Sequence, residues 1–347
     1  MGSGQLVTVF GAYGHTGRFV VAELAARGFV PVLSGRNART LEEMAHEHGQ
    51  EVRVASVEDP ASLERALAGT AAVINCAGPF ASTTGPVIEA ALHAKIPYLD
   101  VAAELEANLD TFARYRERAR DAGAVIVPAM AFFGGLGDLL TTAAMGDWTE
   151  ADEAHIAYAL SHWHPTAGTR LSGAVSRERR GAHRLRWSGG QWERRTDAAP
   201  TLEWTFPEPM GPRPVIAEFT MADVVTVPQH LSIPEVTTYM SAEAARDVAA
   251  PHTPAPTAAD ARGRSDQTFL VDVVVRSGGA ERRATASGQD IYAVTAPLVT
   301  EALERVLTGR TKTVGTVSAG EMFDAPDFLH ALDPHITLDL HPQKRNA

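Results

Sequence analysis

Short apolar runs alternate with longer amphipathic stretches along the first 147 residues. The runs predict strands over residues 6–10, 31–36, 51–54, 71–75, 98–101 and 124–128. The stretches predict helices over 18–27, 40–48, 86–94 and 105–122, a helix that begins at Asp59 with Pro60 in its first turn, and one that ends at Met145. Strands and helices that alternate at this spacing predict a parallel sheet with right-handed crossovers.

The pattern changes after residue 148. Short β-like segments follow at 155–161, 184–187, 191–194, 235–240 and 268–276, with a hairpin turn over 188–190. The stretch 249–266 is rich in proline and alanine and predicts an exposed loop, and residues 292–308 and 319–332 predict closing helices. These segments predict a second, mainly antiparallel domain.

The glycine stretch after the first strand has the spacing Gly11-x-x-Gly14-x-x-Gly17. Glycine permits the sharp exit from the strand, the approach of a phosphate to the main chain, and close helix packing. The helix start then presents free N–H groups to an anion. We expect a dinucleotide pyrophosphate to bind Gly11, Tyr13, Gly14, His15, Thr16 and Gly17. An ordinary structural turn is the alternative.

These elements together predict an α/β protein with three parts. Residues 1–147 would form a Rossmann-type doubly wound parallel sheet that binds the dinucleotide. Residues 148–290 would form an α+β domain with a mainly antiparallel sheet for substrate binding and dimerisation. Residues 291–347 would form closing helices that pack back on the first domain.

The end of the second strand indicates which dinucleotide is bound. An acidic residue here would bind the ribose hydroxyls of NAD, whereas a basic residue accommodates the 2′-phosphate of NADP. No carboxylate lies between Val32 and Thr40, but Arg36 and Arg39 do. We therefore predict NADP(H), with Ser34, Arg36 and Asn37 as contacts. The alternative is that both arginines are solvated surface residues.

The segment after the fourth strand is expected to border the nicotinamide ribose, because ligands bind beyond the carboxyl ends of parallel strands. Its residues are Asn75, Cys76, Ala77, Gly78, Pro79 and Phe80. Phe80 either shields the nicotinamide or is an ordinary core aromatic. Cys76 is the only cysteine, which excludes an internal disulfide and a cysteine zinc cluster, and its neighbours indicate a small apolar residue and not a nucleophile.

Candidate catalytic residues surround the end of the fifth strand. Tyr98, Asp100 and Glu104 would lie at the site, where the two carboxylates orient substrate or relay a proton. The alternative is that Asp100 or Glu104 caps the following helix. Asp138, after Gly137, carries the same two interpretations.

The second domain adds histidines and hydroxyls. On a strand, His162 and His164 would point the same way, but no third ligand is near, so no metal is predicted. We expect His162 to be a proton donor or a surface residue. His164, Thr169 and Ser172 are substrate candidates, although a hydroxyl at a helix start is also an ordinary cap. The arginines between 177 and 195 either attract an acidic or phosphate-bearing partner or form a solvated face.

Composition excludes several classes of function. The 347 residues are 45% hydrophobic and 21% charged, and 31 basic against 42 acidic side chains give a net charge of −11. An acidic protein is a poor general nucleic-acid binder. No apolar run approaches the roughly 18 residues that span a bilayer, and no signal peptide is evident, so no membrane association and a cytoplasmic location are expected.

Several motifs resemble those of saccharopine dehydrogenase-like oxidoreductases, which include saccharopine reductases and trans-acting enoyl reductases. They are 11–18, 34–37, 75–80, 96–101 with Glu104, and Gly168-Thr169 with Ser172. The resemblance is good over about the first 145 residues. It implies a Rossmann domain, NADP(H), a substrate domain inserted before the closing helices, and a homodimer.

The function that we predict is hydride transfer from NADP(H) to a C=N, C=C or C=O bond of a small metabolite or biosynthetic intermediate. Nothing in the sequence reproduces a lysine-pathway substrate site. One alternative is a trans-acting enoyl reductase that acts on a thioester- or carrier-linked chain. Another is a sensor or scaffold that binds the dinucleotide without turnover.

Overall fold

The computed structural model describes residues 4–181 and 183–341, without the side chains of residues 47, 48 and 341. The N-terminal part contains a parallel sheet flanked by helices. Its strands are β1 (Leu6–Phe10), β2 (Val30–Gly35), β3 (Glu51–Val54), β4 (Ala72–Asn75), β5 (Tyr98–Asp100) and β6 (Val125–Val127). Its helices are α1 (His15–Ala26), α2 (Ala38–His48), α3 (Pro60–Leu67), α4 (Phe80–Ala94), α5 (Leu105–Asp121) and α6 (Gly137–Met145).

The rest of the chain is richer in strands. They are β7 (Glu153–Leu160), β8 (Arg184–Ser188), β9 (Gln191–Arg195), β10 (Thr201–Thr205), β11 (Pro212–Ala217), β12 (Glu235–Ser241), β13 (Thr268–Ser277), β14 (Ala280–Gln289), β15 (Gly315–Thr316) and β16 (Ile336–His341). The helices are α7 (Ala167–Arg180), α8 (Asp223–Thr226), α9 (Ala242–Ala249), α10 (Thr295–Leu307), α11 (Ala319–Met322) and α12 (Ala325–His330).

The first sheet has the order β15-β6-β5-β4-β1-β2-β3, and all its pairs are parallel. The order reverses between β1 and β4, which is where a crevice opens at the carboxyl edge of a doubly wound sheet. The predicted fold class is confirmed in this half. The second sheet has the order β10-β11-β12-β7-β13-β14-β16, with β8 and β9 attached to β12. Its pairs are antiparallel except the parallel pair of β12 and β7, so the mainly antiparallel second sheet is also confirmed.

Helix α4 begins six residues earlier than the sequence predicted. It starts at Phe80 and contains Pro86 in its interior, whereas the predicted helix started at Pro86. The early start has a physical cause outside the helix. The Glu104 carboxylate accepts hydrogen bonds from the N–H groups of Phe80 and Ala81, at 2.7 and 3.0 Å, and so caps the first turn.

The C-terminal part differs from the prediction of closing helices alone. Strand β15 adds to the edge of the first sheet, and β16 pairs with β14 in the second sheet. Helix α10 packs on α1, where Arg27 forms ion pairs with Glu23 at 2.8 Å and Glu301 at 2.7 Å. The C-terminal residues therefore tie the two sheets together.

A single hydrophobic cluster continues from one sheet to the other. It contains Val9 and Val127 of the first sheet, Phe132 at the junction, and Tyr158 and Val271 of the second sheet. Burial of this apolar surface stabilises the two sheets as one packed body.

Candidate dinucleotide-binding site

The turn after β1 needs glycine at two of its positions. Gly11 has φ +87°, a conformation that residues with a Cβ rarely adopt, and a Cβ there would lie 2.7 Å from the Ala77 nitrogen. A Cβ at Gly17 would overlap the Gly11 carbonyl oxygen. Because α1 approaches the strand this closely, its first N–H groups are aimed at the space above the turn.

Gly14 leaves room for a ligand. Its φ of −64° suits any residue, and a Cβ there would meet only the Gly11 oxygen, at 3.1 Å. Gly14 offers no side-chain cap to the N–H groups of α1. An anion can therefore approach the helix start, and this cradle fits a pyrophosphate.

His15 stands beside this turn with one unsatisfied ring nitrogen. Its ring packs edge-on against Phe19 and Tyr292, with centroids 5.4 and 5.2 Å away. Nε2 is buried and has no hydrogen-bond partner among the described residues. Burial lowers the pKa of His15, which keeps the ring neutral near pH 7. A neutral imidazole in the right tautomer can donate to a phosphate oxygen, so the residue fits the cofactor.

The end of β2 carries an unpaired basic group. Arg36 is exposed and forms no hydrogen bond or ion pair with the described residues, whereas Arg39 pairs with Glu43 at 2.8 Å. The Asn37 side chain accepts from the Thr40 N–H and caps α2. A Cβ at Gly35 would lie 2.9 Å from the Tyr13 ring, so that ring packs on the main chain here. Ser34 is buried and donates to the Arg53 carbonyl at 2.8 Å.

Asp100 joins the loops that follow β5 and β6. Its carboxylate accepts from the Tyr98 hydroxyl at 2.8 Å, from the Ala102 N–H at 3.0 Å and from the Ala129 N–H at 2.8 Å. Tyr98 and Asp100 have no exposed surface. Both were predicted as catalytic, but in this structure they lie inside the fold and hold the loops in place.

Asn75 extends this network to the loop after β4. Its amide donates to the Tyr98 hydroxyl at 3.2 Å and to Thr83 at 3.3 Å, and its oxygen accepts from the Ala77 N–H at 3.0 Å. One buried chain of hydrogen bonds thus fixes three neighbouring strand ends. The predicted site lies at these strand ends and needs them to be rigid. Burial raises the pKa of the Cys76 thiol well above its usual range, which agrees with an unreactive cysteine.

The buried Asp100 predicts a pH-dependent stability. Burial raises its pKa to about 6 from 3.8, so the folded protein binds a proton that the unfolded chain releases between these values. The free energy of unfolding should therefore fall by about 2 kcal/mol as the pH rises from 4 to 7. Asp100→Asn keeps a hydrogen-bond acceptor and does not titrate. Urea unfolding of both proteins from pH 4 to 7 should show the extra fall in the wild type only, and parallel profiles would contradict the assignment.

Helix α7 carries the hydroxyl candidates to the first domain. Thr166 caps it, and Thr169 forms a 3.0 Å hydrogen bond with the Tyr292 hydroxyl. The hydroxyl of Ser172 lies so close to Gly78 that a Cβ on that glycine would be 2.7 Å away. Thr169 and Ser172 are therefore brought to the carboxyl edge of the first sheet.

The two histidines of the second domain lie next to each other, and His162 lies beside Asp266. The rings of His162 and His164 are 4.3 Å apart, and His162 Nε2 lies 3.5 Å from an Asp266 oxygen. Within the part of the chain that the structure describes, no group of three or more histidine, cysteine, aspartate or glutamate side chains could hold a metal. The His164 carbonyl links this pair to the site, because it accepts a hydrogen bond from the Tyr292 hydroxyl at 3.4 Å.

Tyr292 is the residue that sequence reasoning missed. Its hydroxyl meets the Trp163 indole N–H at 3.2 Å and Thr169, and its ring contacts His15. Asp290 accepts from the Tyr292 N–H at 2.9 Å and has φ +59°, an uncommon conformation for aspartate. The sequence placed Tyr292 in a closing helix, and only the long-range fold brings it to the turn.

Most arginines of the 177–195 segment are in ion pairs. Their partners are acidic residues within 3.5 Å: Arg179 with Asp110, Arg180 with Glu106, Arg184 with Glu218 and Asp197, Arg186 with Glu193 and Glu218, and Arg195 with Asp197. The first two pairs link α7 to α5. The alternative of a solvated, internally paired face is therefore the one that the structure supports.

The fold, the glycine cradle and the helix start define a Rossmann-type dinucleotide-binding protein. A family model, the saccharopine dehydrogenase NADP binding domain, matches residues 7–127. The N-terminal sheet is therefore similar to that domain, and the match supports NADP(H) as the cofactor, as the end of β2 predicted.

Curated relatives match about a third of the chain. A probable mitochondrial saccharopine dehydrogenase-like oxidoreductase of Arabidopsis thaliana is 32% identical over 142 residues, which are 36% of this chain and 31% of that protein. A human saccharopine dehydrogenase-like oxidoreductase is 28% identical over 145 residues, 36% of this chain and 34% of that protein. Each match thus spans about a third of the relative. The resemblance that the motifs indicated is confirmed.

A solved structure extends the likeness in fold to the second sheet. Apo saccharopine dehydrogenase (L-glutamate-forming) of Saccharomyces cerevisiae superposes with a TM-score of 0.63, covering 98% of this chain and 100% of that one. The sequences are 12% identical, so the likeness concerns the fold alone. Among the described residues, no helix combines the length and apolar character needed to cross a membrane.

Proposed function

We propose that the protein is an NADP(H)-dependent oxidoreductase that transfers a hydride to a C=N, C=C or C=O bond of a small metabolite or biosynthetic intermediate. The observation that carries the proposal is the glycine cradle combined with a β2 end that has an unpaired Arg36 and no carboxylate. The names of the matched relatives, which are oxidoreductases, support the same class.

The cofactor would span the carboxyl edge of the first sheet. The Gly11–Gly17 turn would bind the pyrophosphate, and Arg36 with Asn37 would bind the 2′-phosphate. The Asn75–Phe80 segment would border the nicotinamide ribose. When bound, the reduced nicotinamide supplies a hydride. The chain must orient the acceptor and exclude water.

Three groups of residues would do this. The buried Asn75, Tyr98 and Asp100 network positions the loops, and Glu104 fixes the start of α4. Ser172 and Thr169 would offer hydroxyls to the substrate from α7. A hydroxyl that donates a hydrogen bond to the acceptor atom stabilises the charge that develops there. His162 stays a candidate proton donor, and the Asp266 side chain beside it would orient its ring.

The test measures NADPH oxidation in the presence of imines, enoyl thioesters and ketones. The loss of the absorbance of the reduced nicotinamide gives the rate. We expect turnover with at least one class in the wild type and at least a tenfold smaller rate in Ser172→Ala, since a hydroxyl that stabilises the transition state is lost. Ser188→Ala is the matched control, because Ser188 lies in the β8–β9 hairpin and bonds Glu235. NADPH binding without turnover on any acceptor would contradict the proposal and favour a sensor or scaffold.

The carrier-linked alternative has no specific observation in its favour, since most arginines that could attract an acidic carrier are already paired. A homodimer also stays a prediction, and the mass of the protein in solution measures it.

A further inference from the structure

The chain makes an unusual turn where it leaves β6. Residues 132–136 form a kinked segment between β6 and α6, in which Phe133 (φ −90°, ψ 126°) and Gly134 (φ 97°, ψ −74°) leave the helical conformation. Ala129, just before it, has φ +54°, a conformation that residues with a Cβ rarely adopt. Backbone strain of this kind is frequent at functional sites, where the surroundings hold it.

Gly134 shows how closely the turn is packed. A Cβ there would lie 2.8 Å from the Ala129 Cβ and 3.0 Å from the Ala222 Cβ. Phe132 and Phe133 are almost fully buried. The turn therefore has little freedom, and its position depends on the groups beneath it.

Tyr158 and Asp223 are the polar groups beneath it. The Tyr158 hydroxyl donates to Asp223 Oδ1 at 2.8 Å, and neither residue has exposed surface. A Cβ on Gly137 would overlap Asp223 Oδ1 and would lie 2.6 Å from the Tyr158 hydroxyl. The Tyr158 ring centroid is 5.0 Å from that of Phe133. The pair thus packs directly on the backbone where the turn enters α6.

Within residues 4–181 and 183–341, no cation pairs with the Asp223 carboxyl. Its Oδ2 is buried without a hydrogen-bond partner among the described residues. The neighbouring carboxylate, Asp138 of α6, is itself satisfied by His230 at 2.8 Å and by the Gly320 N–H at 2.7 Å. A buried carboxyl without a cation is costly.

The turn lies at the nicotinamide half of the sheet. In a doubly wound sheet, β1 to β3 form one mononucleotide-binding half and β4 to β6 the other. The cradle and Arg36 belong to the β1 to β3 half, so the adenosine half of the cofactor would bind there. The exit of β6 then faces the nicotinamide half. The Phe133 ring also contacts that of Trp163, with centroids 5.2 Å apart. The indole N–H of Trp163 donates to the hydroxyl of Tyr292, which lies beside His15.

We propose that Tyr158 and Asp223 are positioning residues that hold the Phe133–Gly134 turn against the nicotinamide half of the cofactor. The inference rests on the proposed function, because it requires a dinucleotide at the first sheet. Tyr158 and Asp223 lie outside the turn and outside the predicted site. They would act on the nicotinamide half of the ligand only.

The test compares two ligands on the full chain by calorimetry. NADPH contains the nicotinamide, and 2′-phosphoadenosine diphosphoribose lacks it. Tyr158→Phe removes the hydroxyl and keeps the ring, so it should weaken NADPH by about fivefold, the effect of one buried hydrogen bond, and leave the fragment within about twofold of the wild type. At pH 6, where the Asp223 carboxyl is mostly neutral, Asp223→Asn keeps an acceptor for the hydroxyl and should bind both ligands nearly as the wild type does.

A second measurement needs no destabilising variant. Burial raises the pKa of Asp223 to about 7, and the nearby Asp138 charge adds to the rise. The ratio of NADPH to fragment affinity should therefore change between pH 6 and 8 in the wild type and stay constant in Asp223→Asn. Titration of His15 beside the pyrophosphate affects both ligands alike and cancels in the ratio. The groups that face the carboxyl are Tyr158 from β7 and Asp138 from α6, with His230 behind Asp138.

Four results would overturn the inference. Equal losses for both ligands in Tyr158→Phe would mean that the pair only supports the fold. A ratio that does not change with pH in the wild type would mean that the carboxyl does not act on the nicotinamide half. If the folded wild type bound neither ligand, the proposed function would fail and the inference with it. If the fragment bound as tightly as NADPH, the inference would be overturned but the proposed function would not.

Discussion

Gly14→Val should abolish NADPH binding, by at least about 100-fold in affinity, in a protein that remains folded. The backbone of Gly14 has φ −64° and ψ 161°, which valine adopts freely, and a Cβ there touches only the Gly11 oxygen. The new methyl groups would therefore occupy space that the pyrophosphate needs. Calorimetric titration measures the loss, and circular dichroism with thermal unfolding measures the fold.

Two further variants make this result specific. Gly14→Ala adds a single carbon and should give a smaller loss of affinity than valine. Gly17→Ala should instead destabilise the protein, because its Cβ would overlap the Gly11 carbonyl oxygen. Wild-type NADPH affinity in folded Gly14→Val would show that the pyrophosphate does not lie on this turn.

Arg36→Ala should weaken NADPH by roughly 10- to 100-fold and leave NADH nearly unchanged. A charge-assisted hydrogen bond to a phosphate contributes about 1.5–3 kcal/mol, and only NADPH carries the 2′-phosphate. The variant removes an exposed side chain with no partner among the described residues, so the fold should not change. Separate titrations with the two cofactors measure the effect.

Arg39→Ala is the matched control. Arg39 has the same charge, lies three residues further on, and is 89% exposed in an i,i+4 pair with Glu43. We expect a change in NADPH affinity of less than about threefold, because exposed pairs contribute little. An equal loss of NADPH and NADH in Arg36→Ala would mean that the arginine acts on a part common to both cofactors.

The Rossmann half was predictable because its signals are local. Most strands are short apolar runs, and the turn after β1 contains its glycines. Asp59 with Pro60 marks a helix start, where the Asp59 side chain accepts from the Ser62 N–H in the structure. The choice of NADP(H) rested on residues within one loop. Such features need no knowledge of distant contacts.

The second sheet was only partly predictable. Strand β14 has a polar sequence with alanines on its core side, so it carries little β propensity. The Gly278-Gly279 pair after β13 was the signal that could have found it, since such pairs form hairpin turns. Strand β11 contains Pro212 and Pro214, which argue against a strand. Strand β16 alternates apolar and polar residues, but it lies in the region that was predicted to form closing helices.

The chemistry of the site was the least predictable part. Tyr98, Asp100 and Glu104 were identified as a group because they are close in sequence, but their roles depend on partners elsewhere. Glu104 caps α4, whose start is 24 residues away, and Asp100 binds the Ala129 N–H. Whether a carboxylate faces a ligand or a helix end is decided by packing, which local sequence does not show.

The most direct test of the account is calorimetric titration of the wild-type full chain with NADPH and, separately, with NADH. The account predicts a 1:1 complex with NADPH at micromolar or lower dissociation constant, and NADH at least about tenfold weaker. Binding of neither cofactor to the folded protein would contradict it. The glycine cradle would then be a structural turn, and the proposed oxidoreductase would lose its basis.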